Sequence, residues 1–386
     1  MDISDLLSML QHKAEQNLLD IEEAKSIGTK VVGFYCLYSP VELAVAAGAI
    51  TVSLCGTSND PVNAAEEYLP RNLCPLIKSS FGFAVTDTCP FFRFSDLIIG
   101  DTTCDGKKKM FELMARIKPV HVIQLPQNQD QELALPFFIS EVKKAKKVIE
   151  EAFDTKITDE KLANAIRLMN RERRAFKELM DLGRMKPSPI SGLDILTIRH
   201  KTAFFADKNK EIELLHHIVS EVNQRASSAE SSVGRPGPRI LLTGTPVGVG
   251  SDKLVKIMEK AGASVVVAEN CSGYKRTFTI DENKDPILAL SEQYLQIPCS
   301  VMSPNTNRFN LLSELIEAFQ ADGVMDLTWH ACHTYNIESH FVESLAKEKY
   351  TIPFLHIETD YSESDIEQLR VRVEAFLEIV ESNSRS

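Results

Sequence analysis

Two stretches of the chain, about two hundred residues apart, spell out the same order of elements, and this repetition restricts the fold more than any other feature. In the first, Lys30-Val31-Val32-Gly33-Phe34-Tyr35 reads as a short apolar strand ending at Cys36. Ser39-Pro40 then opens a helix through Ala47 that Gly48 closes, and Ile50 to Leu54 is a β-branched strand ending at Cys55. Proline suits the first turn of a helix and glycine its end, so the punctuation has a backbone cause. In the second, Arg239 to Thr243 is a strand, Gly244-Thr245-Pro246 a turn, Ser251 to Ala261 a helix closed by Gly262, and Ala263 to Ala268 a strand leading to Glu269-Asn270-Cys271. A later pair repeats the parallel. Asp96 to Gly100 runs into Thr103-Cys104-Asp105 and a helix, and Gly323 to Leu327 runs into Ala331-Cys332-His333 and a helix. Strands joined by crossover helices pair in parallel, so the expected class is α/β, with two parallel-sheet halves related by a diverged duplication.

The intervening residues have a different grammar. Glu141 to Phe153 and Asp159 to Leu182 are long, charged and helical, and Arg171-Glu172-Arg173-Arg174 reads as a solvated face. Residues 227–238, rich in Ser, Gly and Pro, read as a linker. The expected division is a first α/β domain over 1–135 with an amphipathic lead-in helix at 5–26, a helical connector with linker over 136–238, and a second α/β domain over 239–386.

Composition removes several function classes. A net charge of -11 is the wrong sign for a phosphate backbone, so nucleic acid is not an expected partner. The longest apolar run, Leu43 to Cys55, contains Thr51 and Ser53 and falls short of the roughly 20 residues that span a bilayer. The acidic start Met1-Asp2-Ile3-Ser4-Asp5 has no basic-then-apolar pattern, which places the expected chain in a reducing cytosol where thiols stay free or bind metal.

Those thiols carry the strongest site signal. Ligands of parallel sheets bind beyond the carboxyl ends of the strands, and there the sequence repeatedly places cysteine. Cys55, Cys74 and Cys104 line up in order with Cys271, Cys299 and Cys332, at intervals of 19 and 30 against 28 and 33. Six sulfurs are thus expected to face one cleft. A lone free cysteine is ordinarily a small buried apolar residue, and the duplicated placement is what argues otherwise here. Iron-sulfur clusters are held by thiolates, and a helix N-terminus stabilises a thiolate, as at Cys104 before Asp105-Gly106-Lys107 and at Cys332 before His333-Thr334. The absence of a CxxC pair disfavours a zinc ribbon or a redox dithiol.

Other candidates rank lower. Gly244 to Ser251 carries three glycines after a strand but lacks the Lys-Ser/Thr ending of a phosphate loop and the third spaced glycine of a dinucleotide site, so it reads as a structural turn. His330 and His333 flank Cys332 as possible proton donors, metal ligands or caps. Glu42 and Glu269 are acid-base candidates beside the thiol positions, or else capping groups, and Lys78 is a candidate counter-charge after Cys74. Trp329, the single tryptophan, reads as a core residue.

Three strings complete the reading. Arg71 to Ser80 (RNLCPLIKSS), Asp101 to Met110 (DTTCDGKKKM) and Ala331 to Thr334 (ACHT) resemble the 2-hydroxyacyl-CoA dehydratase and benzoyl-CoA reductase family, and the resemblance covers nearly the whole chain. It implies two Rossmann-like domains with an oxygen-sensitive cluster between them, reduced by a separate ATP-hydrolysing iron-sulfur activator. In the dehydratases it implies a heterodimer whose subunits each hold one 4Fe-4S cubane by three cysteines, carried over here to Cys74, Cys104 and Cys332. The extra set Cys55, Cys271 and Cys299 is closer to the double-cubane branch of the family. In that branch two 4Fe-4S cubanes joined by a sulfide (an 8Fe-9S cluster) take six thiolates. Cys36 and Cys89 are then spare, with Cys36 able to displace Cys55. The leading expectation is therefore a cytoplasmic homodimeric reductase of small unsaturated molecules. The alternative is a one-cubane dehydratase subunit that eliminates water from a 2-hydroxyacyl-CoA.

Overall fold

The computed structural model describes residues 3–227 and 237–384. The expected linker at 227–238 falls mostly on residues 228–236, outside the described residues.

The strands form two sheets with one topology. β1 (Val31–Phe34), β2 (Ile50–Ser53), β3 (Leu97–Asp101) and β4 (Val120–Ile123) pair in parallel in the order β2-β1-β3-β4. β5 (Arg239–Gly244), β6 (Ser264–Ala268), β7 (Gly323–Trp329) and β8 (Phe354–Thr359) repeat it as β6-β5-β7-β8. The two halves are Rossmann-like. In each, the order reverses between the first strand and the third, which opens a crevice at their carboxyl ends.

Near-continuous apolar strands imply sheets covered on both faces, and alternate side chains sort accordingly. Val31, Val52 and Ile98 on the first sheet and Ile240, Leu242, Met325 and Leu327 on the second belong to one core that joins the halves. Val32, Phe34 and Ile99 point the other way, under the helix Ala134–Phe153. Leu241, Val266 and Val324 do the same beneath the helices Asp159–Asp181 and Lys208–Ser227 and the lead-in helix Ile3–Ser26. Among the described residues no helix is long and apolar enough to cross a membrane.

One run departs from the sequence reading. The Arg171–Arg174 run is not a solvated face. Arg171 and Arg174 are exposed, but Glu172 and Arg173 are buried, Glu172 against Arg199 at 2.8 Å and Arg173 against Glu42 at 2.5 Å. Successive helical residues sweep about 100° each, so a run of four charges cannot stay on one side of a helix packed between neighbours. The second half reaches across to the first. Ile287, Leu290, Leu295 and Cys299 pack with Phe138, Val142 and Ile149 of the first, and the Tyr38 hydroxyl donates to the Ile297 carbonyl at 2.7 Å.

The connector is tied to the second sheet through Arg239, the first residue of β5. Its guanidinium donates to the carbonyls of Gly183 (2.7 Å), Met185 (3.0 Å), Phe319 (2.7 and 3.0 Å) and Gln320 (3.3 Å). Removing it strands several sheltered carbonyls together, each a cost of roughly 1–3 kcal/mol. Arg239→Ala is expected to lower unfolding free energy by about 3 kcal/mol or more in urea denaturation, and Arg239→Lys to recover only part of it, because an ammonium cannot span the fork. A loss under about 1 kcal/mol would show that these bonds do not hold the connector.

Candidate functional site

The carboxyl ends of both sheets face a single cavity of about 720 Å³. Its wall carries seven thiols: Cys36 and Cys55 after β1 and β2, Cys74 and Cys104 at the starts of helices Pro75–Thr86 and Asp105–Met114, Cys271 after β6, Cys299, and Cys332 at the start of helix His333–Ser344. All eight cysteines are free thiols, and Cys89, at the start of the short helix Pro90–Phe94, lies off the cavity wall.

Electrostatics sorts these thiols into two groups. Cys332 senses the charges of Cys74 and Cys104, and Cys74 senses Cys104. Cys271 senses Cys299 and Cys55, and Cys36 senses Cys271 and Cys299. Each group thus draws on both halves: Cys74 and Cys104 from the first with Cys332 from the second, and Cys36 and Cys55 from the first with Cys271 and Cys299 from the second. Cys299 rides on the segment that crosses to the first sheet, within electrostatic reach of Cys36.

Helix starts do not make these thiols acidic. Backbone amides do reach sulfur, as Lys107 N does to Cys104 Sγ at 3.3 Å. Burial outweighs them, however, and pushes Cys74 up to about 11 and Cys271 up to about 12. Cys104 and Cys332 are raised for the same reason, against the sequence expectation of ionised sulfur. In the metal-free protein the desolvation of a thiolate exceeds the pull of a helix terminus.

Cations compensate from fixed positions. Lys107 is buried, with Nζ 3.3 Å from Asp101 Oδ1, 3.1 Å from the Tyr35 carbonyl and 3.3 Å from Thr103 Oγ1, and it is held charged within reach of Cys36, Cys55 and Cys104. Lys275 plays the matching part near Cys271. Its Nζ is 2.9 Å from Glu269 and donates to the Tyr335 hydroxyl at 3.0 Å. Tyr335 lines the cavity, and burial, with Cys299 and Cys271 nearby, raises its phenol well above 10, so the hydroxyl keeps its proton.

The remaining candidates separate by place. His333 is on the cavity wall, whereas His330 is exposed and 3.1 Å from Glu358. Glu269 sits behind the wall. Burial would raise it, but Lys275 and Arg308 together hold it below the usual carboxylate range. Glu42 is fully buried off the wall, against Arg173 and the Tyr294 hydroxyl (2.8 Å). Lys78 is turned to Glu66 at 2.8 Å and the Arg71 carbonyl, so it braces the loop before Cys74. The glycine loop packs across the halves. Thr57 Oγ1 donates to the Val249 carbonyl at 2.7 Å, and a Cβ on Gly248 would come within 2.6 Å of Thr57. Trp329 is buried as expected and also lines the cavity, its indole donating to the Pro246 carbonyl at 2.9 Å. Lys107, Lys275, Tyr335 and Arg276 are wall residues that sequence reading did not single out as site residues. A lysine three or four residues after a cysteine is too common to be a signal.

The wall supplies thiols, the donor type that iron-sulfur clusters take. Among the described residues no three His, Cys, Asp or Glu side chains are grouped to share one metal ion.

Residues 36–380 match the family model of the 2-hydroxyglutaryl-CoA dehydratase D-component. The "Putative dehydratase subunit YjiM" of Escherichia coli (strain K12) is 43% identical over 380 residues, 98% of this chain and 99% of that protein. The (R)-phenyllactyl-CoA dehydratase beta subunit of Clostridium sporogenes is 27% identical, covering 93% of this chain and 94% of its own. The lactoyl-CoA dehydratase subunit beta of Anaerotignum propionicum is 22% identical, over 98% and 99%.

The raised thiols have a measurable consequence. In metal-free protein the alkylation rate of Cys74 by iodoacetamide, followed by peptide mass spectrometry, is expected to keep climbing with pH to about 11 rather than level off near the free-cysteine value of roughly 8.5. A plateau below pH 9 would mean that the sulfur is not desolvated as described.

Proposed function

The chain belongs to the 2-hydroxyglutaryl-CoA dehydratase D-component family, and from that premise we propose that it is an iron-sulfur subunit of an enzyme that removes water from a 2-hydroxyacyl-CoA. The observation that carries the reading is the convergence of Cys74, Cys104 and Cys332, from both halves, on one cavity at the carboxyl ends of two parallel sheets. These three thiols would hold one 4Fe-4S cubane. When bound, the cluster supplies an electron at low potential, received from a separate ATP-hydrolysing activator, to a substrate whose hydroxyl must leave.

The chain's own residues set the conditions for that exchange. Lys107, fixed by Asp101, keeps a positive charge beside the sulfurs and offsets the negative charge of thiolate ligands. Tyr335 holds its proton at the hydroxyl oxygen, backed by Lys275 and Glu269, and offers a hydrogen-bond donor on the wall. His333 adds an imidazole on the same wall, a side chain able to donate or accept a hydrogen bond there. The apolar lining around Trp329 limits water in the space. Relatives named as beta subunits support a second, different subunit as partner.

A second reading is favoured by one specific observation, the further thiol group of Cys271, Cys299 and Cys55 or Cys36 on the same wall. Those sulfurs would take a second cubane, bridged to the first by sulfide. The chain would then serve as a reductase of small unsaturated molecules, without a second kind of subunit.

Anaerobic purification followed by iron and sulfide quantitation separates the two. About four irons per chain, lost in Cys104→Ala and unchanged in Cys271→Ala, with activity dependent on a second subunit and the activator, is the expected result. About eight irons, halved by Cys55→Ala, Cys271→Ala or Cys299→Ala, would transfer the assignment to the second reading. Iron retained in full by Cys74→Ala, Cys104→Ala and Cys332→Ala would sink both.

A further inference from the structure

Part of the cavity wall is built from the connector and carries an unbalanced charge. Arg173 is paired with Glu42 at 2.5 Å and with the Tyr294 hydroxyl at 3.1 Å. Arg199 is paired with Glu172 at 2.8 Å and Glu211 at 3.2 Å, and Lys208 with Glu211 at 2.8 Å. Every carboxylate in the group is engaged. Arg276 comes from the other half, in the short 3-10 turn Tyr274–Arg276 just after Cys271, and its side chain lines the same cavity. Among the described residues its guanidinium makes no ion pair and no hydrogen bond, although it lies within electrostatic reach of Arg199, Glu172, Glu211 and Arg173. Four cations therefore face three carboxylates. Burial pushes Glu211 up, Lys208 notwithstanding, so the positive excess is at least one charge.

Arg276 is half-buried on the cavity wall, and a guanidinium there without a partner gains from a ligand that supplies the missing anion. The planar fork of arginine matches the two oxygens of a carboxylate, whereas one free guanidinium is a thin provision for a phosphate dianion. Met169, Leu196, Phe204 and Phe278 line the cavity alongside Arg276 and give the rest of such a ligand an apolar seat.

We propose that Arg276 is the anion-recognition residue of the cavity and that the ligand taken there carries a single carboxylate on a small apolar body, seated against the connector side of the wall. The carboxylate belongs either to a free acid or to the far end of an acyl thioester. The inference rests on the thiol-lined cavity being the reaction site, as proposed above. Burial, with Arg199 beside it, lowers Arg276 to about 10, which leaves it charged at neutral pH and its field directed at Cys55 and at whatever enters.

The test is isothermal titration calorimetry on anaerobically purified full-length protein with benzoate and butyrate, their neutral amides benzamide and butyramide, inorganic phosphate, and glutaryl-CoA against butyryl-CoA. Saturable binding of a carboxylate probe, at least about tenfold tighter than its amide or uncharged counterpart, is expected, the scale of one charge-assisted contact. Tighter binding of benzoate or butyrate identifies a free acid, and a preference confined to glutaryl-CoA identifies an acyl end. Arg276→Gln should remove the preference and Arg276→Lys keep part of it, both with wild-type iron content. Equal binding of acids and amides by the wild-type protein overturns the proposal without any variant, as does a preference for phosphate. Undiminished carboxylate binding in Arg276→Gln also overturns it. Loss of iron in that variant, with no carboxylate preference in the wild type, would reassign Arg276 to balancing the cluster. Wild-type protein that binds carboxylate through Arg276 yet carries no iron would sink the proposed function and leave this inference standing.

Discussion

The physical constraint on which the rest of this molecule depends is the cost of keeping charge and sulfur out of water at the carboxyl ends of two parallel sheets. A cavity lined by seven thiols and ringed by buried lysines and arginines is not what packing alone would produce, since apolar side chains of similar volume would fill the space with less penalty. The chain meets that penalty with pairs fixed from behind the wall. Asp101 restrains Lys107, and Glu269 restrains Lys275 while Arg308 and Glu338 stand behind it. Each cation is thereby fixed within electrostatic reach of sulfur, where it offsets negative charge in a low-dielectric site.

The duplication explains why there are two such arrangements, and its divergence explains why they are not copies. Both sheets have the same strand order, and both place a cysteine after the second strand and another at the helix after the third. The halves then exchange material. The segment around Ile287 to Met302 leaves the second half and packs on the first, taking Cys299 with it. The connector closes the space from the other side, and its charged helix faces inward at Glu172 and Arg173 rather than outward. The result is one shared cavity in place of two separate crevices.

What could be read in advance follows from short-range physics. Strands with β-branched apolar runs, Ser-Pro and Gly at helix ends, and the recurrence of that order placed β1, β2, β5 and β6 to within about two residues of their observed limits, as expected where local preference and burial agree. Cys55 and Cys271 after the second strands, and Cys104 and Cys332 after the third, stood out because the duplicated sequence repeats them at equivalent strand ends. The solvated reading of Arg171 to Arg174 failed because nothing in a run of four charges says what packs against it. Cys104 and Cys332 do sit at helix starts, but the sign of their shift was wrong because burial is a property of the assembled fold.

The sequence by itself determined the class of fold, the duplication and the residue types available at the strand ends, since these depend on backbone preference and on patterns a few residues long. Only the tertiary structure decided which thiols are neighbours, that Lys275 and Tyr335 share a hydrogen bond, and that Arg276 faces the cavity without a counter-ion. Those outcomes are contacts between segments tens to hundreds of residues apart. They are set by how two sheets and a connector close around a common space, and no local spacing encodes them.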